Sequence, residues 1–332
     1  MPSLFLTKIF LLSFLTKSFL LKIFIRVNHD NPFSPCSINH MKKESPKLYI
    51  GTAGWSYQDW VPNFYPCGES KELSWLEFYS RYFNVVEVNA SYYTYLSPKV
   101  VNSWLRKVEE TKDFLFTVKL HQDFTHKRYY GVDQVKAVKY NLDLLRESER
   151  LGGLLIQFPY SFDCCEANIE YTGNLIREFE NYDKFVEVRH ASWNNKKAKS
   201  VTFCTIDQPQ IGQAIEFLPV VGNDKAYIRF HGRNVEAWKR SLNGYGKKQT
   251  YAQQSERYKY LYSPGELTEI DQKIKEIYDK VKKVFVIMNN HPNGDAVANA
   301  FELMHLLKEK TKVKIPPTIL KAYPHLKQIA SN

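Results

Sequence analysis

No glycine-rich phosphate loop occurs in this sequence. Neither GxGxxG nor GxxxxGK[ST] is found, so nothing marks a nucleotide-cofactor site. HExxH is absent, and with it a helix-borne zinc pair; GxSxG is absent, and with it a strand-to-helix serine nucleophile. The five cysteines (Cys36, Cys67, Cys164, Cys165 and Cys204) are odd in number and form no CxxC pair. That argues against a disulfide framework or a zinc ribbon and fits a reducing cytoplasm. There is no long Lys/Arg block, no internal repeat and no low-complexity tract. The net charge of +11 is therefore spread out: a basic surface that attracts phosphates, nucleic acid or anionic metabolites, or that simply keeps the chain in solution.

Long apolar runs are missing too. Residues 4–25 (LFLTKIFLLSFLTKSFLLKIFI) come nearest, but Lys8, Lys17 and Lys22 interrupt them short of the roughly 20 residues a span needs. No small-x-small cleavage site follows. The segment reads as translated upstream sequence or an amphipathic surface helix, with no stable membrane insertion expected. Residues 1–40 are set apart on this basis, and Met41 opens MKKESPKLYIGTAGW like a natural start. The first forty residues carry +3 of the charge, which leaves +8 for the rest.

What is present is an alternation. Eight short, mostly apolar runs read as strands buried on both faces: 47–55, 85–93, 114–122, 152–160, 184–193, 201–207, 225–233 and 283–291. Amphipathic helical patterns lie between most of them, at 73–83, 98–110, 133–151, 167–182, 267–282 and 296–310. Ser97 before Pro98, and Thr268 with Asp271, look like helix starts. Eight βα alternations predict a closed (β/α)8 barrel of TIM type, one domain over 41–332 with its core at about 47–310. Only NNKKAKS separates the fifth run from the sixth, too short for a crossover helix, so the barrel is expected to be irregular there. The long Tyr-, Lys- and Gln-rich segment 234–264 is expected to cover the site.

A barrel of this kind places its chemistry at the C-terminal strand ends. The unusual polar residues collect there: Glu87 and Asn89; Lys119, His121 and His126; Glu187, Arg189 and His190; Asp207; Arg229, His231 and Arg233; Asn289, Asn290 and His291. Residues two apart share a strand face, so Glu187 with Arg189, and Arg229 with His231 and Arg233, are expected to point the same way. Glu187 and Asp207 are expected to neutralise Arg189 or Arg229, because unpaired buried charge is costly. His190 has the opposite parity and is expected to pack outward beneath Trp193.

The same residues carry a resemblance. IGTAGWSYQDWVPNFYP (50–66), VEVNASYY (86–93), VKLHQDFTH (118–126), LLIQFP (154–159), EVRHASW (187–193), IRFHGRN (228–234) and NNHPNGDAVANA (289–300) resemble, in order, the motifs of the YecE-like family, domain of unknown function 72. The resemblance implies a (β/α) barrel and supplies no reaction. The positions it emphasises match the polar set above. Val61-Pro62 replaces its usual Gly-containing step, and the link after Trp193 is shorter than usual.

Three functions are compatible with this pattern. The first is an enzyme with hydrolase- or lyase-type acid/base chemistry on an anionic substrate. Glu87, Glu187, Asp207, His126 and His231 would be the proton carriers. Lys119, Arg189, Arg229 and Arg233 would hold a phosphate or carboxylate. Asn89, His190, Asn289 and Asn290 would add polar contacts, and Trp55, Tyr57 and Trp60 would stack on a sugar or base. The second is a nucleic-acid-binding or nuclease-like barrel. The third is a scaffold whose polar mouth is a stability network. No metal ligand set is assigned: arginines and lysines interspersed among the candidates oppose a bound cation, and a metal is not excluded. The oligomeric state is left open.

Overall fold

The computed structural model describes residues 45–68, 74–194, 196, 200–243 and 250–331. The segment 1–40 lies outside the described residues.

The eight strand runs appear as nine ladder segments: β1 (Lys47–Ala53), β2 (Val85–Val88), β3 (Leu115–Lys119), β4 (Leu151–Gln157), β5 (Lys184–Glu187), β6 (Thr202–Phe203), β7 (Thr205–Asp207), β8 (Lys225–Phe230) and β9 (Lys283–Met288). All pairings are parallel, in the order β6-β5-β4-β3-β2-β1-β9-β8-β7. The two ends of that order are halves of one run, parted only by Cys204. The first half pairs with β5 and the second with β8, and the Cys204 N–H donates to the Val186 carbonyl at 2.8 Å. The sheet therefore comes round on itself as a nearly closed TIM-type barrel. The irregularity expected between the fifth and sixth runs is real and takes this form: the sixth strand changes partner half-way along. Between β5 and β6 the described residues hold only a short turn of helix, Ala191–Trp193.

Alternation sorts the side chains into two cores. Tyr49, Ala53, Val85, Leu155, Phe185, Cys204, Ile206, Tyr227, Phe285 and Ile287 fill the barrel. Their neighbours in sequence, such as Ile50, Val86, Val186, Ile228 and Val286, face the helices. Aromatic rings close the lower interior: Tyr49 stacks on Phe285 at 4.8 Å and Phe185 on Tyr227 at 4.2 Å. Polar residues begin one step further along each strand, above this layer.

The surrounding helices are Trp75–Ser80, Pro98–Lys107, Val132–Glu147, Glu166–Glu178, Pro264–Lys275 and Asp295–Leu307. They fall where the apolar periodicity put them. One start differs: Ser263, not Thr268, caps the helix at 264–275, accepting from the Glu266 N–H with Pro264 in the first turn. Ser97 precedes a helix with Pro98 in its first turn but makes no side-chain cap bond. The 234–264 segment folds into two helices, Val235–Asn243 and Tyr251–Glu256, leading to Arg257 and Tyr258 at the mouth.

Candidate active site

Above the aromatic layer lies a nearly buried ionic cluster, with Arg229 reaching the cavity over it. β2, β5 and β8 each present an inward charged side chain: Glu87, Glu187 and Arg229. The Arg229 guanidinium is 1 % exposed and both carboxylates 0 %. It holds Glu87 in a two-pronged pair, Nε to Oε2 at 2.9 Å and Nη2 to Oε1 at 2.6 Å. Its Nη1 bonds Glu187 and reaches Gln157 at 3.3 Å. Tyr227 donates to Glu87 at 2.9 Å from the layer below. Arg189 takes the other side of Glu187, with Nε at 2.9 Å and Nη2 at 2.7 Å from Oε1. His231 completes the group, its Nε2 at 3.2 Å from Arg189 and its Nδ1 at 2.9 Å from the Asn289 amide.

Burial alone would raise the Glu187 carboxyl, but the guanidiniums of Arg229 and Arg189 outweigh it and hold it well below the usual carboxylate range. Burial first, and then the charge of Arg189, push the His231 imidazole down to about 3. With His231 neutral, two carboxylates balance two guanidiniums.

Over this floor opens a cavity of about 560 Å³, a size suited to a small ligand. Its walls are aromatic: Trp55, Tyr57, Tyr93, Trp104 and Tyr258. Asn89, Lys119, Gln157, Arg257, Asn289 and His291 bring polar atoms to it. The Asn89 Oδ1 is buried with no hydrogen-bond partner among the described residues. Tyr57 lies flat on His291 at 4.5 Å and anchors itself to the Ala53 carbonyl at 2.6 Å. Trp60, from the same opening motif, is wholly buried and donates to the His291 carbonyl at 2.7 Å.

Three cations at this cavity have no carboxylate within 4 Å among the described residues: Lys107, Lys119 and Arg257. The Lys119 ammonium stands over the Tyr92 ring, 4.2 Å from its centroid. Desolvation, and next the charge of Arg229, depress its pKa to about 7. The Arg257 guanidinium lies beside both Trp238 and Tyr258, at 5.4 and 4.9 Å.

Several polar residues singled out in the sequence stand elsewhere. Asp207 does not reach Arg189 or Arg229. Cys204 and Ile206 are the inward residues of that strand, so Asp207 faces out, where Tyr262 donates to it at 2.5 Å and Arg233 grips both oxygens at 2.8–3.1 Å. Arg233 leaves the Arg229 and His231 face because Gly232 has φ +79, a left-handed turn that ends the alternation. Glu266 takes its remaining edge at 2.9 Å. Asn290 ties the loop to Tyr260 and Asn299 at 2.8 and 3.0 Å. His190 caps the turn beside Trp193, accepting from the Ser192 N–H at 3.2 Å. His126 is exposed overall. Partial burial of its ring, and then the charges of Lys119 and Arg189, lower its pKa to about 4. Arg257, Tyr258, Trp104 and Tyr93 were not singled out; the first two lie in the long segment expected to cover the site, and Trp104 had no signal beyond its helical period.

The order of motifs and the barrel can now be set beside known proteins. The family described as "Protein of unknown function DUF72" matches residues 49–322. The chain belongs to the DUF72 family. The UPF0759 protein YunF of Bacillus subtilis (strain 168) is 30% identical over 278 residues, 78% of this chain and 94% of that protein. The UPF0759 protein YecE of Escherichia coli (strain K12) is 30% identical over 165 residues, 47% of this chain and 53% of YecE. Among solved structures, the DUF72 protein TM1631 of Thermotoga maritima aligns at TM-score 0.63 and 29% identity, covering 79% of this chain and 99% of that one. The DUF72 protein EF0366 of Enterococcus faecalis aligns at 0.64 and 23%, covering 79% and 95%, a likeness of fold. In this DUF72 chain no group of three or more His, Cys, Asp or Glu among the described residues is placed to hold a metal, and no described helix is long and apolar enough to cross a membrane.

The buried imidazoles set an acid limit. Burial holds His291 down to about 4, as it holds His231 to about 3, while both titrate near 6.5 in an unfolded chain. Below 6.5 the unfolded chain takes up protons that the folded barrel refuses, so the imidazoles' contribution is complete above that pH and lost as pH falls. Thermal unfolding followed from pH 7 to pH 4 should show a loss of roughly 1–2 kcal/mol, within the ~1.4 kcal/mol per pH unit allowed for each group. A flat melting temperature over that range would contradict two neutral buried imidazoles.

Proposed function

We propose that the chain is an enzyme that acts on a small anionic substrate, bearing a phosphate or a carboxylate, by hydrolase- or lyase-type acid/base chemistry in the aromatic-walled mouth. The observation that carries this reading is the set of cations, Lys107, Lys119 and Arg257, beside the cavity without a carboxylate of their own. Uncompensated positive charge in a desolvated pocket favours an anion, and flat aromatic walls favour a planar or ring-shaped body attached to it. Glu87, Glu187 and His231 have no exposure, so they support this reading as an electrostatic floor. Groups that reach the cavity itself, Lys119 above all, would carry the proton.

Calorimetric titration with inorganic phosphate, and with a phosphorylated sugar, tests it. Binding is expected to both, and Arg257→Ala should weaken it about fivefold, the share of one charge-assisted contact of roughly 1 kcal/mol. Absence of binding to either compound would remove the basis of the proposal.

A nucleic-acid reading is favoured by one observation: Tyr93 stands at the rim, 69 % exposed, with Lys107 beside the same cavity. Binding of a single-stranded oligonucleotide that falls steeply with salt would support it.

A further inference from the structure

Lys119 is the lysine that a barrel strand presents inward at the cavity, whereas Lys107, the other lysine there, stands on a helix. Lys119 ends β3 and opens on the cavity. Lys47, Lys127, Lys139, Lys225, Lys275 and Lys282 each lie within 4 Å of a carboxylate. Lys184, which is buried, gives its ammonium to three backbone carbonyls at 2.7–3.2 Å. Lys119 has neither arrangement: among the described residues its ammonium meets the face of Tyr92. The two carboxylates below it, Glu87 and Glu187, are already occupied by Arg229 and Arg189.

An anion site built for charge alone would use arginine here, as it does at Arg257. Arginine keeps its proton and offers a fork matched to phosphate and carboxylate. Lysine adds one property that arginine lacks, a nitrogen that can release its proton and act as a nucleophile. The surroundings favour that form: enclosure disfavours the ammonium first, and the charge of Arg229 acts in the same direction.

The geometry points to Lys119 as an amine nucleophile that captures a small anionic aldehyde or ketone as a protonated imine. This rests on the anionic-substrate reading above and names the reacting group of that substrate. In the step, the ammonium first passes a proton to a base. The nitrogen lone pair then forms a bond to the carbonyl carbon, and the C=O pair moves to oxygen. A proton moves from nitrogen to that oxygen, giving a carbinolamine. The borrowed proton returns to the hydroxyl, the C–O bond breaks, and water departs. Ammonium and carbonyl have become iminium and water, with no oxidant or reductant. His126, which shares the Tyr92 ring with Lys119, would take the borrowed proton, directly or through water. Its ring is held by the Thr125 hydroxyl at 3.0 Å, lies edge-on to Tyr92 at 5.1 Å, and feels the charge of Lys119. The cavity leaves room for a substrate of a few carbons and its anionic group.

The test is reductive trapping on the full chain near pH 7 with cyanoborohydride and two aldehydes used separately. Formaldehyde is neutral and glyoxylate carries a carboxylate. Each lysine's modification is then counted by peptide mass spectrometry. A lysine near neutrality is about half unprotonated at pH 7, against well under one in a thousand for an ordinary one. Its lower basicity gives part of that advantage back. Lys119 is therefore expected to react about tenfold faster than surface lysines with both aldehydes, and by a larger ratio with glyoxylate. His126→Gln should slow labelling at Lys119 several-fold and leave the surface lysines unchanged. If Lys119 reacts no faster than surface lysines with either aldehyde, imine capture is overturned, whatever phosphate binding shows. If it is favoured by formaldehyde with no further gain from glyoxylate, imine capture stands and the anionic substrate class is overturned.

Discussion

Arg229→Met should lower stability by about 3–5 kcal/mol, the cost of leaving buried charge without its partner. The guanidinium is the only cation that touches both Glu87 and Glu187 among the described residues, and it does so at 1 % exposure. Methionine fills a similar volume but strands Glu87 entirely, with only the Tyr227 hydroxyl still donating to it. Glu187 keeps Arg189. The burden therefore falls on one carboxylate, which must either take up a proton or open the barrel to water. Thermal and urea unfolding of the purified variant should show the loss. Adding Glu87→Gln to Arg229→Met should restore a large part of it, because a neutral amide no longer needs the cation. An unchanged melting temperature in the single variant would mean that the cluster is solvated in a way the enclosed geometry does not allow. The sequence places Arg229 among the anion-holding residues; its donors are taken up by Glu87 and Glu187, and it also lines the cavity.

The second large effect runs the other way. Lys119→Met should raise stability by about 1–3 kcal/mol while weakening phosphate binding by about tenfold or more. Its ammonium is held near neutrality by enclosure and by the charge of Arg229, with Glu87 and Glu187 opposing them and Arg189 adding to the repulsion. Tyr92 and His126 complete its surroundings. The folded-state pKa of about 7 lies below the unfolded value near 10.5. Between those values the unfolded chain holds the proton more tightly, so the wild-type barrel is penalised at and below pH 7 and relieved as pH rises toward 10.5. The full shift would be worth more than 1–3 kcal/mol, but the open cavity screens part of it. Replacement by methionine removes the penalty, so the gap between variant and wild type should be widest near pH 7 and close by about pH 10. A stabilised barrel that no longer binds is the mark of a residue retained for function at the expense of the fold. If Lys119→Met instead destabilises the chain at pH 7, the ammonium is held by the fold and its place at the cavity is incidental.

Both predictions turn on what strand alternation can and cannot say. Within a strand, period two correctly set Glu187 beside Arg189 and Arg229 beside His231, because each pair lies on one continuous stretch of extended chain. It also held on the sixth strand, where Cys204 and Ile206 point inward and Asp207 therefore faces out. It failed where the chain departs from that form. At Gly232 a left-handed residue turns Arg233 toward Asp207. The glycine was visible, but nothing local distinguishes a strand-ending glycine from a tolerated one.

The sequence by itself determined the barrel: eight apolar runs, helices between most of them, and the polar residues gathered at one end of the strands. These are local properties, since a strand buried on both faces must be apolar wherever it stands. It also carried the ordered motifs that place the chain in its family. Tertiary structure alone decided which charges compensate one another. Glu87 and Arg229 are 142 positions apart, and only the barrel's closure brings them to 2.6 Å. The same closure gives both arginines of the floor to carboxylates and leaves Lys119 without one. Register between distant strands is set by packing and closure, which no short stretch of sequence encodes.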